Sequence, residues 1–190
     1  MSKILTRKNN RLRNYNYSDN GWYFVTICSR GRKNIFVEIN NKYVGEGLAP
    51  SRDNTPVQYK DNIKLSKIGK IIDKQWNDIP NQYDNIELDE YIIMPNHIHG
   101  IMIVDNQVEL REGASPSPTI CDVIRSFKSK SSLEYLKYIK QNNLDISGKI
   151  WQRSFYDHII RNERSLDAVR EYISNNPENW EQDIENLLNL

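Results

Sequence analysis

ELDEYIIMPNHIHGIMIV, residues 87–104, is the stretch that decides the reading of this chain. Ile86 to Met94 is β-branched and apolar enough for a strand, and Pro95-Asn96 breaks it. His97 to Val104 then forms a second strand, so the two are expected to pair as a hairpin or as neighbours. In a strand, side chains two apart share a face, so His97 and His99 point one way and Ile98 the other. Two imidazoles about 7 Å apart along a strand can grip one cation from one side. Gly100 leaves room beside them. The alternative is two polar residues on a solvated face. Against that, the flanks are apolar on both faces (Tyr91, Ile92, Ile93, then Ile101 to Val104), which describes a buried strand.

Outward from this hairpin, Gly21 to Cys28 (GWYFVTIC) is a further, central strand, which Ile35 to Ile39 extends or returns. Leu65, Ile68, Ile72, Trp76 and Ile79 follow a helical spacing that Pro80 stops. Thr119 with Asp122 resembles a capping box ahead of the stripe Ile120, Val123, Ile124 and Phe127, and the helix runs on to Ile139 with a kink at Ser131-Ser132. Ile150 to Ile160 reads as another strand. Ser165 caps a last helix from Leu166 to about Asn175, ended by Pro177. The order β, helix, β, β, helix, β, helix predicts an α+β fold with helices on one face of an antiparallel sheet. Residues 40–60 and 105–118 are Gly-, Pro- and polar-rich surface loops.

A chain of 190 residues with 38% hydrophobic and 27% charged residues is one domain able to bury a real core. Eleven Tyr and four Trp argue against disorder. No apolar run approaches the ~20 residues of a membrane span, and the basic N-terminus lacks the apolar segment of a secretory signal. Cys28 and Cys121 make no disulfide framework and no CxxC, so the expected setting is the reduced cytoplasm. The net charge of +1 hides an uneven distribution. Residues 1–33 carry eight Lys and Arg against Asp19 alone, and residues 163–190 carry seven acids against Arg164 and Arg170. The basic arm, with Asn and Tyr interleaved (NNRLRNYNY, residues 9–17), suits phosphate contacts and base stacking; the alternative is a solvated terminus.

A metal held by the histidines needs a further ligand. No cysteine cluster points to structural zinc, and histidine with oxygen ligands suits Mg²⁺ or Mn²⁺ acting on phosphates. On the last helix, Val169 and Ile173 lie in the buried stripe, and Tyr172 and Asn176, one turn apart, border it. A hydroxyl and an amide oxygen would then lie beside the sheet. Ordinary packing of Tyr172 and capping by Asn176 account for the same pattern.

Taken together, NGWYFVTICSRGRKNIF (20–36), ELDEYIIMPNHIHGIMIV (87–104), ICDVIRSFKS (120–129), IWQRSFYDHIIRNE (150–163) and VREYISNNP (169–177) resemble the REP-associated tyrosine transposases, a group of HUH single-strand DNA endonucleases. The matching segments run in family order over nearly the whole chain and predict a single such domain over 1–190, with residues 1–20 as its basic arm. The resemblance implies a ferredoxin-like antiparallel sheet with helices packed on one face and a C-terminal helix carrying the catalytic tyrosine. It implies metal ligation by His97 and His99, with Ile98 as the hydrophobic residue between them, and by Asn176. It implies Tyr172 as the nucleophile, with Mg²⁺ or Mn²⁺ as cofactor. Tyr156 is the competing tyrosine, disfavoured because it reads as strand.

The implied activity is metal-dependent nicking and joining of single-stranded DNA at a hairpin through a 5′-phosphotyrosine. A non-cutting hairpin-binding protein is the alternative. Arg7, Lys8, Arg11, Arg13, Arg125, Lys128, Lys130 and Arg153 are the candidate DNA contacts. His158 and Arg161 are candidates for supporting the site. The partner is single-stranded or hairpin DNA and not a membrane, the chain acts as a monomer or homodimer, and the location is cytoplasmic, at the nucleoid.

Overall fold

The computed structural model describes residues 17, 19–38, 64–106, 118–180 and 183. Arg7, Lys8, Arg11 and Arg13 lie outside the described residues, as do residues 40–60 and most of 105–118.

Four strands form one antiparallel sheet: β1 (Gly21–Cys28), β2 (Ile86–Ile93), β3 (His97–Val104) and β4 (Tyr156–Ile160), in the order β2-β3-β1-β4. The two inner strands, β1 and β3, are buried on both faces. Among the described residues the helices are α1 (Lys67–Asn77), α2 (Ile79–Gln82), α3 (Ile120–Gln141) and α4 (Glu163–Asn175), with a 3₁₀ turn at Arg30–Arg32 after β1. The antiparallel α+β architecture is as expected, but the helices occupy both faces of the sheet, α1 and α3 on one and α4 on the other. The hairpin is also as expected: β2 and β3 join through Met94–Asn96, with Ile93 opposite Ile98.

The period of two along each strand sorts the core into two layers. Tyr23, Val25 and Ile27 of β1 and Ile98, Met102 and Val104 of β3 join Ile72 and Trp76 of α1 and Ile120, Val123, Ile124 and Phe127 of α3. On the opposite face, Phe24, Ile101 and Ile160 meet Leu166 and Ile173 of α4. The histidines of β3 lie on this second face. Arg170 of α4 grips Asp89 of β2 with two hydrogen bonds, Nε to Oδ1 at 3.0 Å and Nη2 to Oδ2 at 2.5 Å, where the β2–β3 register shifts between Leu88 and Tyr91. The guanidinium holds the Asp89 carboxyl below its ordinary range. This clamp and the apolar stripe fix α4 over the sheet.

Several local boundaries differ from the sequence expectation. The side chain that caps α4 is Asn162, whose Oδ1 accepts from Ser165 N at 2.8 Å, so the helix begins three residues before Leu166. The fourth strand begins at Tyr156 rather than Ile150, because Trp151 turns into the core against Phe36 and Phe127. Among residues 35–38 the strand pairing is a bridge from Val37 to Leu65, and Ile39 lies outside the described residues. Helix α3 continues through Ser131-Ser132: Ser131 Oγ donates back to Phe127 O and accepts from Trp151 Nε1. The capping box at Thr119 and Asp122 is present in both directions.

Gly100 has a packing reason. A Cβ there would lie 2.3 Å from Cζ2 and 2.9 Å from Cη2 of Trp76, whose ring is fully buried beneath β3. Gly100→Ala is expected to cost about 1–3 kcal/mol, read as a lowered urea midpoint with unchanged slope. An unchanged midpoint would show that the Trp76 ring can shift freely.

Candidate metal and tyrosine site

His97 and His99 lie side by side on β3, their ring centroids 4.3 Å apart, and both are buried. The surrounding hydrogen bonds orient each ring. Asn96 Nδ2 donates to Arg32 O at 3.2 Å, which turns Asn96 Oδ1 toward His97 Nδ1 at 2.8 Å. A carbonyl oxygen can only accept, so His97 carries its proton on Nδ1 and presents a lone pair at Nε2. That Nε2 is buried without a hydrogen-bond partner, and Asp183 Oδ2 faces it at 3.8 Å. His99 Nδ1 bonds to Thr26 Oγ1 at 2.9 Å, and its Nε2 lies 3.3 Å from the Tyr172 hydroxyl.

Electrostatics keep both rings neutral. Burial, with a smaller contribution from Arg32, pushes His97 down to about 3. Burial, then the neighbouring His97, holds His99 well below its ordinary value, and Asp183 opposes this. The close approach of His97 and Asp183 is therefore not a salt bridge: a neutral ring turns a lone pair toward a carboxylate oxygen. A cation between them would convert that opposition into coordination. One ligand atom from each of His97, His99 and Asp183 lies within 4.8 Å of the others, all three residues buried. Asn176, the C-cap of α4, adds a buried Oδ1 with no hydrogen-bond partner. Two imidazoles, a carboxylate and a nearby amide oxygen fit a divalent cation.

Because neutral histidines refuse protons that the unfolded chain accepts near pH 6.5, acid should destabilise the metal-free protein. Stability is full above pH 6.5 and falls as pH drops from 6.5 toward 3, by up to about 1.4 kcal/mol per pH unit for His97 alone. Urea unfolding in EDTA between pH 7 and 5 checks this before most carboxylates titrate. A flat profile would contradict the buried, neutral assignment.

Helix α4 brings Tyr172 over the pair. Its ring lies 5.3 Å from that of His99 and edge-on to Phe24 at 6.0 Å, while Phe24 stacks on His99 at 5.2 Å. Tyr172 is 45% exposed, so it connects the buried histidines to solvent. The structure thus gathers His97, His99 and Tyr172, with Asn176 one turn below. It does not bring Tyr156 to them: Tyr156 is 46% exposed on β4 and bonds to neither histidine.

The proposed DNA contacts of α3 are engaged within the fold. Arg125 pairs with Asp122, Lys130 donates to Gln82, and Lys128 donates to Gln152 O and Ser154 O at 3.0 Å each. Burial pushes Lys128 down to about 8. Arg153, His158 and Arg161 are exposed.

Sequence reasoning missed Asp183 and Trp180, whose ring lies 5.9 Å from that of His97. It also missed Thr26 and Asn96, which orient the histidines. Thr26 and Asn96 had a signal, a polar residue inside or beside an apolar run. Asp183 had none, being one acid among seven.

The fold and this group define an α+β protein with a buried His–His–Asp centre beneath a tyrosine-bearing helix. The family model described as "Transposase IS200 like" matches residues 57–176, which include His97, His99, Tyr172 and Asn176 but not Asp183. A protein of Haemophilus influenzae (strain ATCC 51907 / DSM 11121 / KW20 / Rd), described as uncharacterized, is 33% identical over 189 residues, 93% of this chain and 91% of that one. This chain belongs to the IS200-like transposase family. Among solved structures it is similar to a REP-associated tyrosine transposase bound to a REP hairpin, with TM-score 0.46 and 18% identity over 88% of this chain and 72% of that chain. No helix among the described residues is long and apolar enough to cross a membrane.

Proposed function

We propose that this chain is a single-stranded DNA endonuclease and strand transferase that cuts beside a DNA hairpin through a 5′-phosphotyrosine on Tyr172. The observation that carries this reading is the Tyr172 hydroxyl set 3.3 Å from His99 Nε2, above a buried histidine pair whose His97 Nε2 lacks a hydrogen-bond partner and faces Asp183. Tyr172 Oη bonds to phosphorus, the P–O3′ bond breaks, and the 3′ oxygen leaves as a hydroxyl. The tyrosine proton departs to water, which reaches the exposed rim of the site, and water returns one proton to the leaving 3′ oxygen. A second 3′-OH attacking the phosphotyrosine restores a phosphodiester, so the covalent step conserves the bond for strand transfer. His99 orients the hydroxyl, and Thr26 and Asn96 hold the two rings. His97, His99 and Asp183, with Asn176 as the neighbouring oxygen, would hold Mg²⁺ or Mn²⁺, which supplies charge neutralisation at the phosphate.

The test mixes the full chain with 5′- or 3′-labelled hairpin DNA from the flanks of its own gene, with Mn²⁺, Mg²⁺ or EDTA. The expected result is a metal-dependent, SDS-resistant adduct carrying the 3′ label. Binding without an adduct under every metal would favour a hairpin-binding protein that no longer cuts.

A further inference from the structure

We propose that the groove along the outer edge of β4 is a subsite for an unpaired nucleotide of the DNA strand that meets Tyr172, an inference that rests on the DNA-cleaving reading above. The groove has a volume of about 440 Å³ and is lined by Tyr17, Tyr156, Asp157, His158, Arg161 and Ser165, among others.

The sheet register connects this groove to the site. Thr26 of β1 pairs with His99 on one side and with Tyr156 on the other. The three residues form one row across three strands and share a face, so two strand spacings place Tyr156 about 10 Å from His99. His158 follows in the row of Phe24, the residue that stacks on His99 and packs against Tyr172. Tyr156 and Tyr172 are the exposed tyrosines among the described residues, and both lie on the face of the sheet that carries His99.

The groove's recognition groups are also uncommitted. The α3 cations and Arg170 are engaged in the fold, whereas the side chains of Tyr156, His158 and Arg161 make no hydrogen bond or ion pair among the described residues. An exposed aromatic ring offers a sequence-tolerant face for a base, and a nearby guanidinium offers a fork for a phosphate. A strand crossing from Tyr172 toward β4 would meet both. Tyr156 thereby acquires a binding role distinct from that of a nucleophile.

The test uses a hairpin oligonucleotide from the gene's own flanks, with 2-aminopurine placed at each unpaired position in turn. Binding to wild type and to Tyr156→Phe should quench one of these positions. Tyr156→Ala should lose that quench and bind about tenfold more weakly. Arg161→Gln should make the slope of log affinity against log salt shallower by about 0.7, and it decides the matter alone if Tyr156→Ala fails to fold. Equal affinity and quenching in Tyr156→Ala, with an unaltered salt slope in Arg161→Gln and a wild type that forms its Tyr172 adduct, overturns the subsite alone. Loss of the adduct in Tyr156→Phe makes Tyr156 the nucleophile and overturns it too. DNA binding by wild type without any adduct overturns the cleaving reading and the subsite with it.

Discussion

Tyr172→Phe is expected to abolish the protein–DNA adduct, lowering single-turnover cleavage by at least about 10⁴-fold, as removal of a nucleophile does elsewhere. The substitution is conservative for the fold. The phenyl ring keeps its edge contact with Phe24 and its packing on His99, and only the hydroxyl 3.3 Å from His99 Nε2 is removed. The melting temperature should therefore stay within a few degrees of wild type. Tyr156→Phe should still form the adduct, because Tyr156 lies two strands away and bonds to neither histidine. Cleavage that survives in Tyr172→Phe without an adduct would mean that water attacks the phosphate, and the chain would then be a hydrolase.

Asp183→Asn should have two effects of opposite sign. In wild type without metal, His97 Nε2 turns a lone pair toward Asp183 Oδ2 at 3.8 Å in a buried site. An asparagine amide can donate to that nitrogen and removes a buried charge. The metal-free variant should gain about 1–3 kcal/mol, a rise of roughly 2–10 °C in melting temperature. With metal the order reverses. Wild type at a hundredfold excess over Kd gains about 2.7 kcal/mol, and the variant should gain little, having lost its anionic ligand. Thermal melts with EDTA and with Mn²⁺ measure both arms. A variant less stable than wild type in EDTA, yet equally stabilised by Mn²⁺, would place Asp183 outside the metal centre.

The face shared by His97 and His99 was legible because a period of two leaves no freedom in a strand whose flanks are apolar on both sides. The pairing of Thr119 with Asp122 was legible because a capping box is local. The site's remaining parts were hidden where contact depends on the course of the chain. Asp183 lies 86 positions beyond His97 and meets it only in the fold, where α4 packs on the face of the sheet that carries the histidines. Lys128 has a part in the fold that the sequence did not signal: it donates to Gln152 O and Ser154 O and so holds the 152–154 segment to α3. Trp151 broke the expected long strand because burial against Phe36 and Phe127 outweighs local β propensity.

The strand order carries a kinetic consequence. Only the β2–β3 hairpin is local. β1 must find β3 at separations of 69 to 83 residues, from the Cys28–His97 pair to the Gly21–Val104 pair, and β4 later still. Chain closure of that length has to precede the contacts that reward it, so folding is expected on the slow side for a chain of this size. Until β1 arrives, β3 holds His97, His99 and the run Ile101–Val104 on an open edge, the kind of surface on which neighbouring chains mispair. The strand that assembles the chemistry is thus also the strand most in need of protection while the molecule is being made.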